Sequence, residues 1–192
     1  MRFSNLAMLA LSGLAIASPV VKRDTEADVV SLLTDLYATV QTYTGAINAT
    51  LANLSPSSSA LEKTAAVPVI GDQISKITAA ITSTTSNINA LPHVTEKRSI
   101  TAVGAPEVEK RQIGAIAVAA LLGLIIVEIF ATLGAAIVVL GAGLLVIFTT
   151  PMVSSLSLLI LTVQAVLNVV LAGVITLLNT ILTSLALGLS GL

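Results

Sequence analysis

The chain has 192 residues, of which 55% are hydrophobic and 10% are charged, and its formal net charge is -1. A charge balance so close to zero provides no basic surface for nucleic acid, and the absence of cysteine excludes disulfides and thiolate metal sites. Ordinary soluble domains carry about 25% charged residues, so the low charge needs a physical explanation.

The charged residues are concentrated in the first 111 positions. From Gln112 to Leu192, Glu128 is the only ionisable residue. A change of composition this large indicates two parts of the chain that are adapted to different solvents.

The N-terminus has the pattern of a secretory signal peptide. Met1-Arg2 gives a positive start, an apolar run extends from Leu6 to Ala17, and Ala15-Ile16-Ala17 supplies small residues for signal peptidase. The run is too short for a stable membrane span. We therefore expect residues 1–17 to be a signal peptide, and the protein to be secreted and extracellular, in a cell wall or associated with a membrane. An N-terminal anchor is the alternative.

Three dibasic pairs follow and contain most of the Lys and Arg residues. The pairs are Lys22-Arg23, Lys97-Arg98 and Lys110-Arg111. Their recurrence after the signal and in a polar linker indicates cleavage by a kexin-type processing protease. Residues 18–23 would then be a short propeptide and residues 92–111 a linker with two processing sites. The alternative is that the pairs are solvated charges at the ends of helices.

Residues 24–91 are predicted to form two amphipathic helices. Thr25, Glu26 and Asp28 favour a helix start by capping and by the helix dipole. Apolar residues then recur at steps of three and four, which places them on one helix face. They are Val29, Leu33, Leu36, Val40, Tyr43, Ile47, Leu51 and Leu54.

The first helix is predicted to end at the turn 55–59, which contains Pro56. A less regular stretch around Pro68 precedes a second apolar stripe. Thr84 fills the one position of the stripe that lacks an apolar residue, and Pro92 ends the helix. The stripe is Ile70, Ile74, Ile77, Ile81, Ile88 and Leu91. Two such helices with a short connection should pack as an antiparallel αα-hairpin.

Two N-glycosylation sequons lie near the end of the first helix, at Asn48 and Asn53. Asn48 is the better acceptor, because Pro56 follows the second sequon. The other faces of both helices are rich in Thr, Ser, Asn and Ala, so sugars would replace charge as the solubilising groups.

The segment 24 to about 91 resembles the fungal hydrophobic surface-binding proteins, which are related to cell-wall galactomannoproteins. The resemblance rests on Lys22-Arg23-Asp24 after a signal peptide, on the helix start 28–33 (Asp-Val-Val-Ser-Leu-Leu), and on the Ile-rich stripe from Ile74 to Ile88. It implies a helical, secreted, non-catalytic protein that adsorbs to apolar surfaces or lies in the wall.

Residues 112–192 are predicted to form a very hydrophobic helical region of two long or four short helices, which makes the chain all-α. About 20 residues span a bilayer core, so the stretches 113–148 and 152–192 each have room for one long helix or two spans. Ala115, Ala119 and Gly123 form a ridge of small residues that allows close helix contact in lipid. Gly134, Gly141 and Gly143 offer bends, and the best break is 149–151, Thr-Thr-Pro.

The few polar groups of this region are predicted to form a buried stripe. Beyond Pro151 they fall within about a third of the helix circumference at 100° per residue, and Glu128 needs similar shielding. The stripe residues are Glu128, Ser157, Gln164, Asn168, Asn179 and Thr183. They should face another helix, a second copy or water, so self-association through the C-terminal helices is expected. For Glu128, a pH-dependent trigger or pore lining is the alternative to a helix-end position or a polar partner.

Motifs for enzymatic chemistry are absent from the sequence. There is no phosphate-binding glycine loop, zinc pattern or nucleophile elbow, and His93, the only histidine, lies beside Pro92 in the linker. We therefore expect no catalytic, cofactor-binding or metal-binding residues.

These observations predict a secreted, non-catalytic surface-active or cell-wall protein that binds apolar surfaces or membranes. One alternative is a precursor that releases a membrane-active peptide or toxin from residues 112–192, with the N-terminal part as a solubilising pro-part. A second alternative is an integral membrane protein of the secretory pathway.

Overall fold

The computed structural model describes residues 25–93, 105–168 and 171–189. At 105–113, 172 and 185–189 it describes the backbone alone. The predicted signal peptide, the predicted propeptide with Lys22-Arg23, and Lys97-Arg98 lie outside the described residues.

The described chain is built from helices. They are α1 (Thr25–Leu51), α2 (Ala60–Asn89), α3 (Ala105–Leu140), a 3-10 turn (Ala142–Leu144), α4 (Val146–Leu167) and α5 (Ala172–Leu189). The predicted all-α class is confirmed, with an N-terminal helical pair and two long apolar helices in the C-terminal region. The shorter α5 is the third helix of that region.

The hairpin of α1 and α2 forms because both helices carry one apolar face. The predicted stripe residues from Val29 to Leu51 and from Ile70 to Ile88 are buried, apart from the half-buried Tyr43. One detail differs: Thr85, not Thr84, takes the buried position between Ile81 and Ile88. Thr85 satisfies its hydroxyl by donating to the Ile81 carbonyl at 2.7 Å.

The start of α2 lies ten residues before the predicted stripe and is fixed by a capping box at Ser59. The Ser59 hydroxyl accepts from the Glu62 amide at 3.3 Å, and the Ser59 amide donates to Glu62 Oε2 at 2.8 Å. These two bonds satisfy donors that a helix start leaves unpaired. The helix continues through Pro68, where an irregular stretch is predicted from the sequence.

The break between α3 and α4 lies at Gly141, not at the predicted 149–151 segment. Gly141 has a φ of 90°, a conformation that glycine adopts without steric cost. Pro151 lies in the second turn of α4. Its missing amide removes one hydrogen bond, to the carbonyl one turn earlier, and the helix continues on both sides of it.

The first four helices form a four-helix bundle in which α1 packs on α2 and α3, and α2 packs on α1 and α4. Thr25 Oγ1 donates to the Pro92 carbonyl at 3.2 Å, so α1 and α2 are antiparallel. Thr44 contacts Glu128, and Gly114 lies against Glu26, so α1 and α3 run in the same direction. In the same way Gly71 lies against Phe148 and Thr82 lies near Ser155, so α2 and α4 are parallel.

The buried residues of the four bundle helices share an eleven-residue repeat. Examples are the positions 25, 36 and 47 of α1, 66, 77 and 88 of α2, 118, 129 and 140 of α3, and 156 and 167 of α4 with Leu145 just before it. An eleven-residue repeat corresponds to about 3.67 residues per turn, close to the α-helical value. A buried stripe with this period stays nearly parallel to the helix axis, which lets long helices remain in contact along their length.

The chain reverses again at Asn168, which has a φ of 52° in the left-handed region. Asparagine tolerates this conformation better than most residues. The next helix, α5, packs on the first half of α3, with Leu177 opposite Gly123.

Replacing Gly71 by leucine is expected to lower the free energy of unfolding by about 1–3 kcal/mol, the usual cost of overpacking. A Cβ at Gly71 would collide with the ring of Phe148 on α4. The matched control is Gly45→Leu, because nothing lies within 4 Å of a Cβ at Gly45, and leucine favours the helix there. Thermal unfolding followed by circular dichroism measures both. Equal stability of the two variants would contradict this packing.

The capping box is expected to make stability depend on pH. Hydrogen bonds from the Ser59 hydroxyl and backbone amide hold the pKa of Glu62 below its usual value. A pKa lowered in the folded state adds stability above the unfolded pKa, and this stability is lost as pH falls through the folded pKa. The melting temperature of Ser59→Ala should therefore lie below wild type at neutral pH, and the difference should narrow in acid. Glu62→Gln removes the titrating group, so its melting temperature should lack this pH-dependent component. A constant difference between Ser59→Ala and wild type at every pH would contradict the assignment.

Candidate functional site: the apolar outer face

The outer side of α3 is apolar from Ile116 to Val138. Seven exposed positions contain no polar side chain: Ile116, Ala120, Leu124, Val127, Ala131, Ala135 and Val138. Ile116 and Val138 expose 68% and 70% of their surface. From Ile116 to Val138 the stripe extends about 33 Å at 1.5 Å per residue, which is close to the thickness of a bilayer core.

The outer side of α4 is also largely apolar, with a few hydroxyls. Its large exposed side chains are Val146, Ile147, Leu158 and Leu161. The polar positions Thr150 and Ser154 satisfy their hydroxyls by donating to Val146 and Thr150 carbonyls of the preceding turn. We call the exposed residues of α3 and α4 the apolar outer face.

The opposite side of the bundle is polar. The exposed positions of α1 are Ser, Thr, Gln, Asn, Asp, Ala and Gly. Those of α2 are mostly polar or small, apart from Leu61 and Val69. They include Asp72 and Lys76, which form a 2.7 Å ion pair. This bond raises the pKa of Lys76. Both sequon residues, Asn48 and Asn53, are exposed on this side or at its end. The outside of the hairpin is therefore mostly polar, whereas the outside of α3 is apolar.

Among the residues that the structure describes, two helical segments are long and apolar enough to cross a membrane, Gly114–Leu140 and Val146–Leu167. By length and composition alone this is weak evidence for spanning, since core helices of soluble proteins have the same properties. Less than half of either segment is buried inside the bundle.

Glu128 is half-buried between α3 and α1 and has a polar partner. Its Oε1 accepts a hydrogen bond from Thr44 Oγ1 at 2.7 Å, and Thr44 itself is 1% exposed. The same hydroxyl lies 3.2 Å from the Gln41 carbonyl. A carboxylate in apolar surroundings is costly without such a donor, so Thr44 is a necessary part of this interface, and the sequence patterns did not indicate it.

The other residues of the predicted polar stripe are separated by the fold. Ser157 and Gln164 are half-buried on α4, whereas Asn168, Asn179 and Thr183 are exposed. The predicted stripe assumes one continuous helix beyond Pro151. In the structure α4 ends at the reversal at Asn168, so the residues on either side of it no longer share a helix face. On α5, Asn179 and Thr183 instead belong to an exposed polar face with Thr176, Thr180 and Ser184.

The small-residue ridge of α3 faces α5, as a close helix contact requires. Ala115, Ala119 and Gly123 line an open apolar groove of about 400 Å³ together with residues of α5 and the chain before it. The groove continues to Ile116 of the apolar outer face.

The third dibasic pair lies within a helix. Lys110 and Arg111 are in the second turn of α3, counted from Ala105. A protease that binds an extended chain can cut there only after the start of α3 unwinds. Unwinding at a helix end costs little free energy.

No group of three His, Asp or Glu residues that could hold a metal ion occurs within the described parts of the chain. His93 is exposed beside Pro92. No family model, curated protein or solved structure matches the chain.

Proposed function

We propose that this is a secreted, non-catalytic surface-active protein that adsorbs to apolar surfaces or membranes through the apolar outer face of α3 and α4. The observation that supports the proposal most strongly is the two-sided bundle, with a continuous apolar stripe on α3 and Ser, Thr and Asn on the outside of α1 and α2. Exposed apolar patches of this extent mark interaction sites in soluble proteins.

Adsorption is driven by the apolar surface of α3 and α4 that leaves water on contact with an apolar phase. Each large side chain of the outer face is roughly half exposed or more, for example Leu124 at 48% and Val127 at 50%. Removing such side chains from water contributes roughly 1 kcal/mol each. The polar side, with its two sequons and any sugars, would stay in water and keep the adsorbed layer hydrated. This arrangement also suits a wall protein, as the resemblance to surface-binding proteins implies.

The variant Leu124→Ser/Val127→Ser/Val138→Ser tests the proposal. The loss of about 3 kcal/mol in total should weaken binding to octyl-coated beads and phosphatidylcholine vesicles about 100-fold. Its helicity should be unchanged, because all three positions are exposed. Co-sedimentation with vesicles and retention on the beads measure the effect.

The matched control is Ala27→Ser/Ala38→Ser/Ala46→Ser, which adds three hydroxyls to the exposed side of α1. This variant should bind as the wild type does. If the two triple variants bind equally well, or if the wild type binds neither surface, the proposed function is wrong.

The alternative, a precursor of a membrane-active fragment, is favoured by one observation. The hairpin packs on the inner faces of α3 and α4, as a solubilising pro-part would. In this case mass spectrometry of secreted protein should find a fragment that begins at Gln112, and Arg111→Gln should abolish it. Arg98→Gln is the control and should leave the Gln112 terminus intact. Secreted protein that begins at Asp24 and is uncut elsewhere would contradict the precursor hypothesis and leave the adsorption proposal standing.

A further inference from the structure

We propose that the hairpin of α1 and α2 is a releasable cover that keeps α3 and α4 out of a bilayer until the protein has adsorbed, and that the Thr44–Glu128 contact holds this cover closed. The inference rests on the proposed adsorption and concerns the regulation of the same surface.

Each of the apolar helices α3 and α4 packs on the hairpin more than on the other. α3 packs mainly on α1, and α4 packs mainly on α2, whereas α3 and α4 have little direct contact with each other. The inner face of α3, including Leu122, Ile129 and Leu133, is fully buried in this arrangement. Separation of the hairpin would therefore uncover most of what α3 and α4 bury.

The strength of this packing depends on the solvent. In water the hydrophobic effect holds apolar faces together. In a bilayer this driving force is absent, because lipid tails are as apolar as the side chains. The hairpin has exposed Asp35, Gln41 and Asn48 on its outer side, so it would stay in water when its apolar partners move into lipid.

The released helices have the dimensions of a two-span hairpin. The apolar segments Gly114–Leu140 and Val146–Leu167 contain 27 and 22 residues, and about 20 are needed. Because α1 and α2 are antiparallel, and α3 and α4 are parallel to them respectively, α3 and α4 run in opposite directions. They could therefore enter a bilayer together without reversing.

Glu128 opposes this step. It lies near the middle of the Gly114–Leu140 segment, where a charged side chain is most costly in lipid. With the cover closed, its carboxylate receives the hydrogen bond from Thr44. With the cover open, it loses this donor and must enter the apolar phase, so the contact biases the protein towards the closed form.

A disulfide between α1 and α3 tests whether the cover must open. A Cβ at Gly114 would lie 3.5 Å from the Cβ of Glu26, within the range of about 3.5–4.5 Å that a disulfide requires. The chain has no cysteine, so Glu26→Cys/Gly114→Cys introduces the only two thiols. Hydrogen exchange of the full-length variant is then measured with and without phosphatidylcholine vesicles.

The reduced variant should show slower exchange in α3 and α4, and faster exchange in α1, when vesicles are added. The oxidised variant should bind the vesicles through the outer face but keep the exchange pattern that it has in buffer. Equal protection of α3 in both forms would overturn the inference, as would vesicle binding by the wild type without any change in exchange. Vesicle binding by the wild type without a change in exchange would leave the proposed adsorption standing. Failure of the wild type to bind vesicles would overturn both the adsorption and the releasable cover.

Two single variants test the role of the polar contact. Glu128→Gln keeps an acceptor for Thr44 but removes the charge, so exchange in buffer should match the wild type. The equilibrium constant for insertion into vesicles should rise by about tenfold, because a neutral amide costs less in lipid than a carboxylate. Thr44→Val removes the donor and should speed exchange of buried α1 amides in buffer by about tenfold. Thr42→Val is the control, because the Thr42 hydroxyl is exposed and bonds only within α1. If Thr44→Val and Thr42→Val behave alike, or if Glu128→Gln inserts no more than the wild type, the contact does not hold the cover.

Discussion

The fold depends on the burial of the inner faces of α3 and α4 by the hairpin of α1 and α2. An isolated two-helix hairpin buries too little surface to be stable by itself, and α3 and α4 have few contacts with each other. Each half therefore supplies what the other lacks. The hairpin contributes apolar stripes with a mostly polar outside, and α3 and α4 contribute apolar inner faces that need cover. The shared eleven-residue repeat makes the match possible, because stripes that run nearly parallel to the helix axes can stay in contact over six turns or more.

This constraint also decides which surfaces remain exposed. A helix that is apolar all round must hide every side or meet an apolar phase. In the bundle, α3 hides one side against α1 and a second, near its start, against α5, and the side from Ile116 to Val138 stays exposed. The amphipathic unit is thus the whole bundle rather than a single helix. Its polar layer consists mainly of hydroxyls and amides, which bind water without adding charge, and has few charged groups such as Asp35 and the Asp72–Lys76 pair.

The helical class, the hairpin and its buried stripe are predictable from the sequence because they rest on local periodicity and on strong turn residues such as Pro56. The periodicity does not predict the start of α2, because the regular apolar stripe begins only at Ile70, whereas the Ser59–Glu62 capping pattern marks the start in the sequence. The break at Gly141 and the reversal at Asn168 depend on single backbone conformations that tertiary packing selects. The partner of Glu128 was not predictable, because Thr44 lies 84 residues away and belongs to the other half of the chain. The apolar outer face likewise becomes defined only when it is known which sides of α3 and α4 the hairpin covers.

The parallel arrangement of α1 and α3 has a consequence for the dibasic pairs. Thr25, Pro92 and the beginning of α3 lie at one end of the bundle, and the three pairs occur directly before, between and within these segments of the sequence. A cut in the connection between α2 and α3 would cross none of the helix interfaces. It would turn one folded chain into two fragments held by the same contacts, and their separation would then depend on dilution. Proteolysis at this end would thus leave the bundle assembled where the protein is concentrated and release its halves where it is dilute.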